Sequence, residues 1–494
     1  MKIIEIAKSS NKEIFILSNM ANRHGLITGA TGTGKTVSLQ VLVERFSDIG
    51  VPIFLSDVKG DLTGLGSKAD INDKLTAHLQ KVRIDEPIPE KYPLTIWDVF
   101  GEKGHPLRAT ISDMGPIMIS RLLGLNDVQS GVLQIIFKVA DENKIMLLDL
   151  KDLRSMTKYI GENARDLGSD YGNVSSASIG AIQRGLLTLE EQGGDKFFGE
   201  PMLNINDMLQ TIDGKGVINL LNAKQLMFTP RLYGVFLLWL LSELFENLPD
   251  VGDLAKPKLV FFFDEAHLLF DDSLSILQER IEQVVRLIRS KGVGVFFVTQ
   301  NPLDIPDKIL SQLGNRIQHA LRAYTPRDQK AVKTAAETLR VNPKIDSEKA
   351  ITELGVGEAL VSFLDEKGAP NIVERVYIYP PKSHLGVIPQ NEIDQIINNS
   401  LVAGVYEKSV DRESAYEQLQ GRVEKSAKLD IEKTGEGSGG ISAIFKGIGG
   451  IFKSGSGRGR RQSLGEAMAK TVVRTVSSKI AGRIVRGLLG SIKR

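Results

Sequence analysis

Residues 2–17 alternate apolar and polar side chains on either side of Ser9-Ser10-Asn11. A period of two predicts strands with one buried face, and the polar break predicts a hairpin. Beyond it the pattern changes to short runs that are apolar throughout. Gly25-Leu26-Ile27-Thr28, Val51-Pro52-Ile53-Phe54-Leu55-Ser56, Lys258-Leu259-Val260-Phe261-Phe262-Phe263 and Gly294-Val295-Phe296-Phe297-Val298-Thr299 are the clearest, with weaker ones at 94–99, 217–221, 316–321, 359–364 and 373–379. Runs of this kind predict strands covered on both faces, the environment inside a parallel sheet. Helical periodicity fills the intervals at 37–46, 230–248, 273–290 and 326–340. Strands alternating with helices predict an α/β fold with a mainly parallel, doubly wound sheet.

The alternation lapses between 105 and 212. Helical patterns such as 128–139 and 179–190 dominate there, broken by Gly-rich turns. The expectation is an inserted helical subdomain, 105–212, within a core formed by 1–104 and 213–385. Pro380-Pro381 marks the end of the core, and a polar helical extension, 386–434, follows. Ten of the 25 residues in 435–459 are glycine, the composition of a flexible linker. Helical periodicity returns at 464–488. Ala469, Val473, Val476, Ile480, Ile484 and Leu488 share one face of that helix, while Lys479, Arg483 and Arg486 share another.

With 494 residues, 42% hydrophobic and 25% charged, the chain is long enough for two or three compact units. It has no cysteine, which excludes disulfides and thiolate metal sites. Its six histidines are scattered without metal-ligand spacing. The first residues lack the apolar core of a signal peptide, and the apolar run 235–241 is far short of a membrane span. A cytoplasmic protein is therefore expected. Net charge is +2 overall, but 435–494 carries twelve Lys/Arg against two Asp/Glu, or +10. A basic tail on an acidic body favours a polyanionic partner, and DNA, an anionic membrane surface or the protein body itself all fit.

The chemistry starts at Gly29-Ala30-Thr31-Gly32-Thr33-Gly34-Lys35-Thr36, which satisfies G-x-x-x-x-G-K-[ST] between an expected strand and an expected helix. Glycines let several N–H groups converge on one anion. Lys35 reaches the β- and γ-phosphates of ATP, and Thr36 offers its hydroxyl to Mg²⁺. Asp264 and Glu265 stand at the end of the Phe-rich strand. The first is the expected Mg²⁺ holder, and the second orients and polarises the attacking water. Gln300, after the next strand, is placed to sense the γ-phosphate. Asp57 and Lys59 end another strand, either as site groups or as a loop salt bridge. Arg316 and Arg322 bracket the following strand, where an arginine could stabilise transition-state charge.

Together with Asp57-Val58-Lys59-Gly60-Asp61, Asp264-Glu265-Ala266-His267 and Val298-Thr299-Gln300-Asn301-Pro302, the phosphate loop resembles that of the HerA/FtsK group of P-loop ATPases. Within the group, the chain is most similar to the short HerA-like proteins typified by YjgR. The resemblance covers residues 1–385. It implies a RecA-like (ASCE) P-loop NTPase core, assembly into hexameric rings and movement on double-stranded DNA. Lys35, Thr36, Asp264, Glu265 and Gln300 match the motor's motifs, and its arginine, whose position varies within the group, is expected at Arg316. Only 28 residues precede Gly29, too few for the β-barrel that HerA proper carries there. Asp264-Glu265-Ala266-His267 also spells the motif of DEAH-box RNA helicases, but a second RecA-like domain is not legible after residue 300. Two other functions compete with a DNA motor: a nucleotide-dependent scaffold or switch for a protein partner, and a membrane-surface ATPase.

Overall fold

The computed structural model describes residues 2–9, 12–252, 254–270 and 275–421. The expected linker and basic helix of 435–494, the end of the 386–434 extension and the start of the 273–290 helix lie outside the described residues. Two compact units are present. One contains residues 1–109 and 189–410, and the other contains 110–188 and the described part of 411–494.

All fourteen described strands lie in the first unit, and twelve of them form one large sheet. In chain order these are β1 (Ile3–Ser9), β2 (Lys12–Leu17), β3 (Gly25–Thr28), β4 (Ile53–Asp57), β5 (Leu94–Asp98), β6 (His105–Pro106), β7 (Thr211–Ile212), β8 (Lys215–Gly216), β9 (Ile218–Asn222), β10 (Leu259–Phe263), β11 (Val293–Thr299), β12 (Asn315–Gln318), β13 (Glu358–Ser362) and β14 (Glu374–Ile378). The large sheet runs β2-β1-β14-β13-β12-β3-β11-β10-β4-β9-β5-β6, and β7-β8 form a separate pair. From β12 to β6 every neighbouring pair is parallel. From β12 back to β2 every pair is antiparallel. The strongest apolar runs thus form the parallel block, the weaker runs at 359–364 and 373–379 pair antiparallel beside it, and the alternating N-terminal hairpin forms the sheet's edge.

The central strands β3, β4, β10 and β11 are buried along their whole length. Their aromatic residues account for much of the core. On one face Phe262 stacks on Phe296 at 5.1 Å, and Phe46 of the helix Lys35–Asp48 closes on both rings at 6.1 and 5.8 Å. On the other face Phe263 stacks on Phe297 at 5.6 Å and Phe54 lies 4.9 Å from Phe261. Burying each such ring stabilises the unit by about 1.5–3 kcal/mol. The helix Pro230–Asn247 is apolar nearly all round and buried accordingly; its Tyr233 hydroxyl bonds Ser56 of β4 at 2.6 Å. Residues flanking the helical segment belong to this unit too. His105–Pro106 pair with β5, and Phe197 packs on Phe236 and Trp239.

The second unit is helical, with Ile111–Leu122, Asp127–Glu142, Leu150–Glu162 and Ala164–Tyr171. Capping boxes at Asn126/Gln129 and Asp149/Asp152 fix two of the helix starts. Leu133, Ile136, Leu153, Met156 and Ile160 are buried. Among the described residues no helix is long and apolar enough to cross a membrane.

Candidate active site

Strand order decides which side chains can meet. The acidic strand β10 does not touch the phosphate-loop strand β3, because β11 lies between them. The carboxyl ends of β3, β11, β10 and β4 therefore present, side by side, the phosphate loop, Gln300, Asp264-Glu265 and the turn 57–61. Ligands of open α/β sheets bind along such an edge.

In the phosphate loop Gly29, Gly32 and Gly34 have φ of 153°, 79° and 113°. Gly29 has a second reason to be glycine: a Cβ there would lie 2.5 Å from the Cβ of His319. Gly34 caps the helix Lys35–Asp48 without a side-chain bond, so first-turn N–H groups point outward for an anion. Lys35 is buried, and its Nζ donates to the carbonyls of Gly29 at 2.7 Å and Ala30 at 3.0 Å. Burial, and secondarily the charge of Lys59, lower its pKa. Thr33 Oγ1 donates to the Ala30 carbonyl at 2.7 Å. Thr36 is half-buried in the first helical turn.

Asp264 and Glu265 are both buried, yet their environments differ. Burial pushes Asp264 up to about 6, against the opposing pull of Lys59. Burial also opposes the charge on Glu265, but hydrogen bonds from His267 and Lys59 outweigh it and hold the carboxyl at about 2. Lys59 Nζ is 2.6 Å from Oε1, His267 Nδ1 is 3.2 Å from Oε2, and Gln300 Nε2 is 3.3 Å from each oxygen. Glu265 takes φ 49°, ψ 49°, a left-handed conformation that costs a non-glycine residue on the order of 1–3 kcal/mol. Gln300 Oε1 in turn accepts from Thr31 Oγ1 at 3.2 Å. Gln300 thus bridges the phosphate loop and the acidic pair.

The two readings of Asp57 and Lys59 divide between the residues. Asp57 organises its own loop, accepting from the N–H groups of Gly60 at 2.6 Å, Asp61 at 3.3 Å and Leu62 at 3.0 Å. Burial pushes its carboxyl to about 7. Lys59 belongs to the site. Arg316 does not join this cluster. Its Nε donates to the Leu313 carbonyl at 3.0 Å and its Nη2 to Leu310 at 2.8 Å, so within this chain the guanidinium is held by its own backbone. Burial lowers it to about 10. Arg322 is exposed.

One contributor carries no motif. His319, just after β12, is fully buried behind the loop. Its Nε2 meets Ser38 Oγ at 2.7 Å and its Nδ1 meets the Glu358 carbonyl at 2.9 Å. Its backbone N–H bonds Thr28, the next residue's carbonyl accepts from Ala30, and Gly357 N–H reaches Thr33. Thr28 Oγ1 also donates to Gln318 Oε1. The loop is braced from outside by β12 and β13. Only a polar residue at a strand end signalled this in the sequence.

A sequence profile described as the helicase HerA-like C-terminal family matches residues 2–494. The DNA double-strand break repair helicase HerA of Sulfolobus acidocaldarius is 22% identical over 364 residues, covering 71% of this chain and 64% of that protein. The chain thus matches less than two thirds of the relative's length. Among solved structures, plasmid coupling protein TrwB in complex with the non-hydrolysable GTP analogue GDPNP aligns with a TM-score of 0.53 at 14% identity, covering 79% of this chain and 92% of TrwB. TrwB in complex with ADP and Mg²⁺ aligns at 0.51 and 13%, covering 78% and 97%. These similarities place the fold among RecA-like P-loop ATPases.

Proposed function

The chain belongs to the helicase HerA-like C-terminal family, and on that premise we propose that it is an ATP-hydrolysing motor that moves along DNA. The observation that carries the reading is the convergence of Lys35, Gln300, Asp264 and Glu265 on one sheet edge from three strands. In this reading the glycine loop and Lys35 bind the ATP phosphates. Glu265 accepts the proton of the attacking water, and Gln300 reports the terminal phosphate to it. The water oxygen bonds to the γ-phosphorus as the bond from that phosphorus to the bridging oxygen breaks; ADP keeps the bridging oxygen, and inorganic phosphate leaves.

The oxygen donors here suit Mg²⁺. Asp264 is a buried carboxylate, and the neighbouring Asp61 has a buried Oδ1 without a hydrogen-bond partner. Thr36 and Asp264 would hold the ion, which neutralises phosphate charge when bound. Among the described residues no cluster of three or more His, Asp or Glu suits a metal, so phosphate oxygens and water would complete the shell.

A ring of this chain, hexameric by family resemblance, would bring a neighbour's exposed Arg322 to the phosphates more readily than the backbone-held Arg316. Double-stranded DNA is the proposed track, and 435–494 a second, sequence-independent contact with it. The test is steady-state ATPase with and without double-stranded DNA, beside light scattering. Turnover that depends on Lys35 and rises with DNA supports the motor. Lys35-dependent turnover indifferent to DNA moves the chain to a nucleotide switch for a protein partner, and binding of the tail to anionic liposomes alone moves it to a membrane-surface ATPase.

A further inference from the structure

Lys59 has no part in the chemistry above, yet it makes the shortest contact to the carboxylate at the centre of that chemistry. Four strand ends contribute to one chain of polar contacts. Lys59 follows β4, Glu265 follows β10, Gln300 follows β11, and Thr31 lies in the loop after β3. The links are Lys59 to Glu265 at 2.6 Å, Gln300 to both Glu265 oxygens at 3.3 Å, and Thr31 to Gln300 at 3.2 Å. Lys59 Nζ also lies 4.0 Å from Asp264 Oδ2. The turn that carries Lys59 is pinned by the three N–H bonds to Asp57. Its four-carbon side chain, 40% exposed, can still swing as a point charge on a flexible stem.

We propose that Lys59 is a second phosphate-binding lysine, which exchanges the Glu265 carboxylate for the terminal phosphate of a bound nucleoside triphosphate and thereby releases Glu265 to hold the attacking water. The proposal rests on the nucleotide reading of the site. A carboxylate carries one negative charge, and a terminal phosphate carries nearly two, so a lysine within reach of both favours the phosphate. His267 and Gln300 stay on Glu265 and keep it oriented. A diphosphate ends one phosphate short and leaves Lys59 on Glu265. The exchange therefore lets the site tell a triphosphate from a diphosphate before any bond breaks.

A binding cycle on the full chain tests this without relying on turnover. Fluorescent ADP and a non-hydrolysable ATP analogue are titrated into the wild type, K59M, E265Q and the double variant, with K59R as the charge-preserving control. K59M is expected to bind ADP within about twofold of wild type and the analogue about tenfold more weakly, the loss of one charge-assisted contact. E265Q frees Lys59 and binds the analogue several-fold more tightly, and that gain disappears in the double variant. K59R keeps the preference for the analogue. Equal losses for both nucleotides in K59M, or an E265Q gain that persists without Lys59, overturns the exchange while leaving the nucleotide reading intact. A wild type that binds neither nucleotide overturns both.

Discussion

Replacing His319 by alanine should loosen the phosphate loop as well as the fold. The ring is fully buried and bonds two groups, the Ser38 hydroxyl and the Glu358 carbonyl. Its removal strands both. Each stranded group costs about 1–3 kcal/mol, so the loss is about 2–6 kcal/mol before any cavity is counted. A second effect follows from charge. Burial holds His319 at about 4, against 6.5 when it is free. The folded chain therefore binds fewer protons than the unfolded chain between these values. Stability is complete above pH 6.5 and falls as the pH drops toward 4, by about 1.4 kcal/mol per unit for this group. The alanine variant lacks that group, so its stability should depend less steeply on pH across the same window. Denaturant unfolding at several pH values measures both effects. Because Ser38 lies in the helix that starts at Lys35, ADP affinity should drop about tenfold, equivalent to about 1.4 kcal/mol. His319→Gln, whose amide can reach Ser38, should recover more ADP affinity than His319→Asn. An alanine variant within about 0.5 kcal/mol of wild type, or one that is destabilised but binds ADP normally, would refute the bracing role.

Other substitutions probe the remaining parts of the site. Glu265→Gln should retain ATP and slow turnover about 10²–10⁴-fold, the usual contribution of a positioned base, and a wild-type rate in single-turnover assays would remove Glu265 from that role. Gly29→Ala places a Cβ 2.5 Å from that of His319 and should abolish nucleotide binding, whereas retained affinity in a titration would show that the two strand ends can part. Mixing Arg322→Ala with Glu265→Gln chains should restore some ATPase if the arginine acts across an interface; mixed assemblies that stay inactive at every ratio would place the site within one chain. Deleting 435–494 should weaken DNA binding across all sequences and flatten its salt dependence, and unchanged filter-binding affinity would remove DNA as the tail's partner.

The fold was legible because its central strands are apolar nearly to their carboxyl ends and its edge hairpin alternates. The site was legible where one residue type answers one chemical demand: glycines at positive φ, a lysine at the helix start, a carboxylate at a strand end. What escaped the sequence was pairing. Asp57 and Lys59 lie two residues apart and read alike, but the backbone of the turn folds over the first and leaves the second free to cross to β10. Arg316 alternates onto a face where the carbonyls of 310 and 313 wait, which no local pattern displays. His319 acquires its importance from Ser38, 281 residues away.

The place of β3 in the sheet also governs when the site can come into being during synthesis. β3, at 25–28, leaves the ribosome long before its sheet neighbours β11 and β12, at 293–299 and 315–318. The hairpin before it waits longer still, for β14 at 374–378. At about 5–20 residues per second, the interval before β11 appears is on the order of 15–50 s. Throughout it, a strand with four buried positions and a glycine loop have no sheet to join. A chain cut short before residue 315 would carry the whole phosphate-binding motif and lack the His319 that braces it. The motif is made long before the strands that close its site.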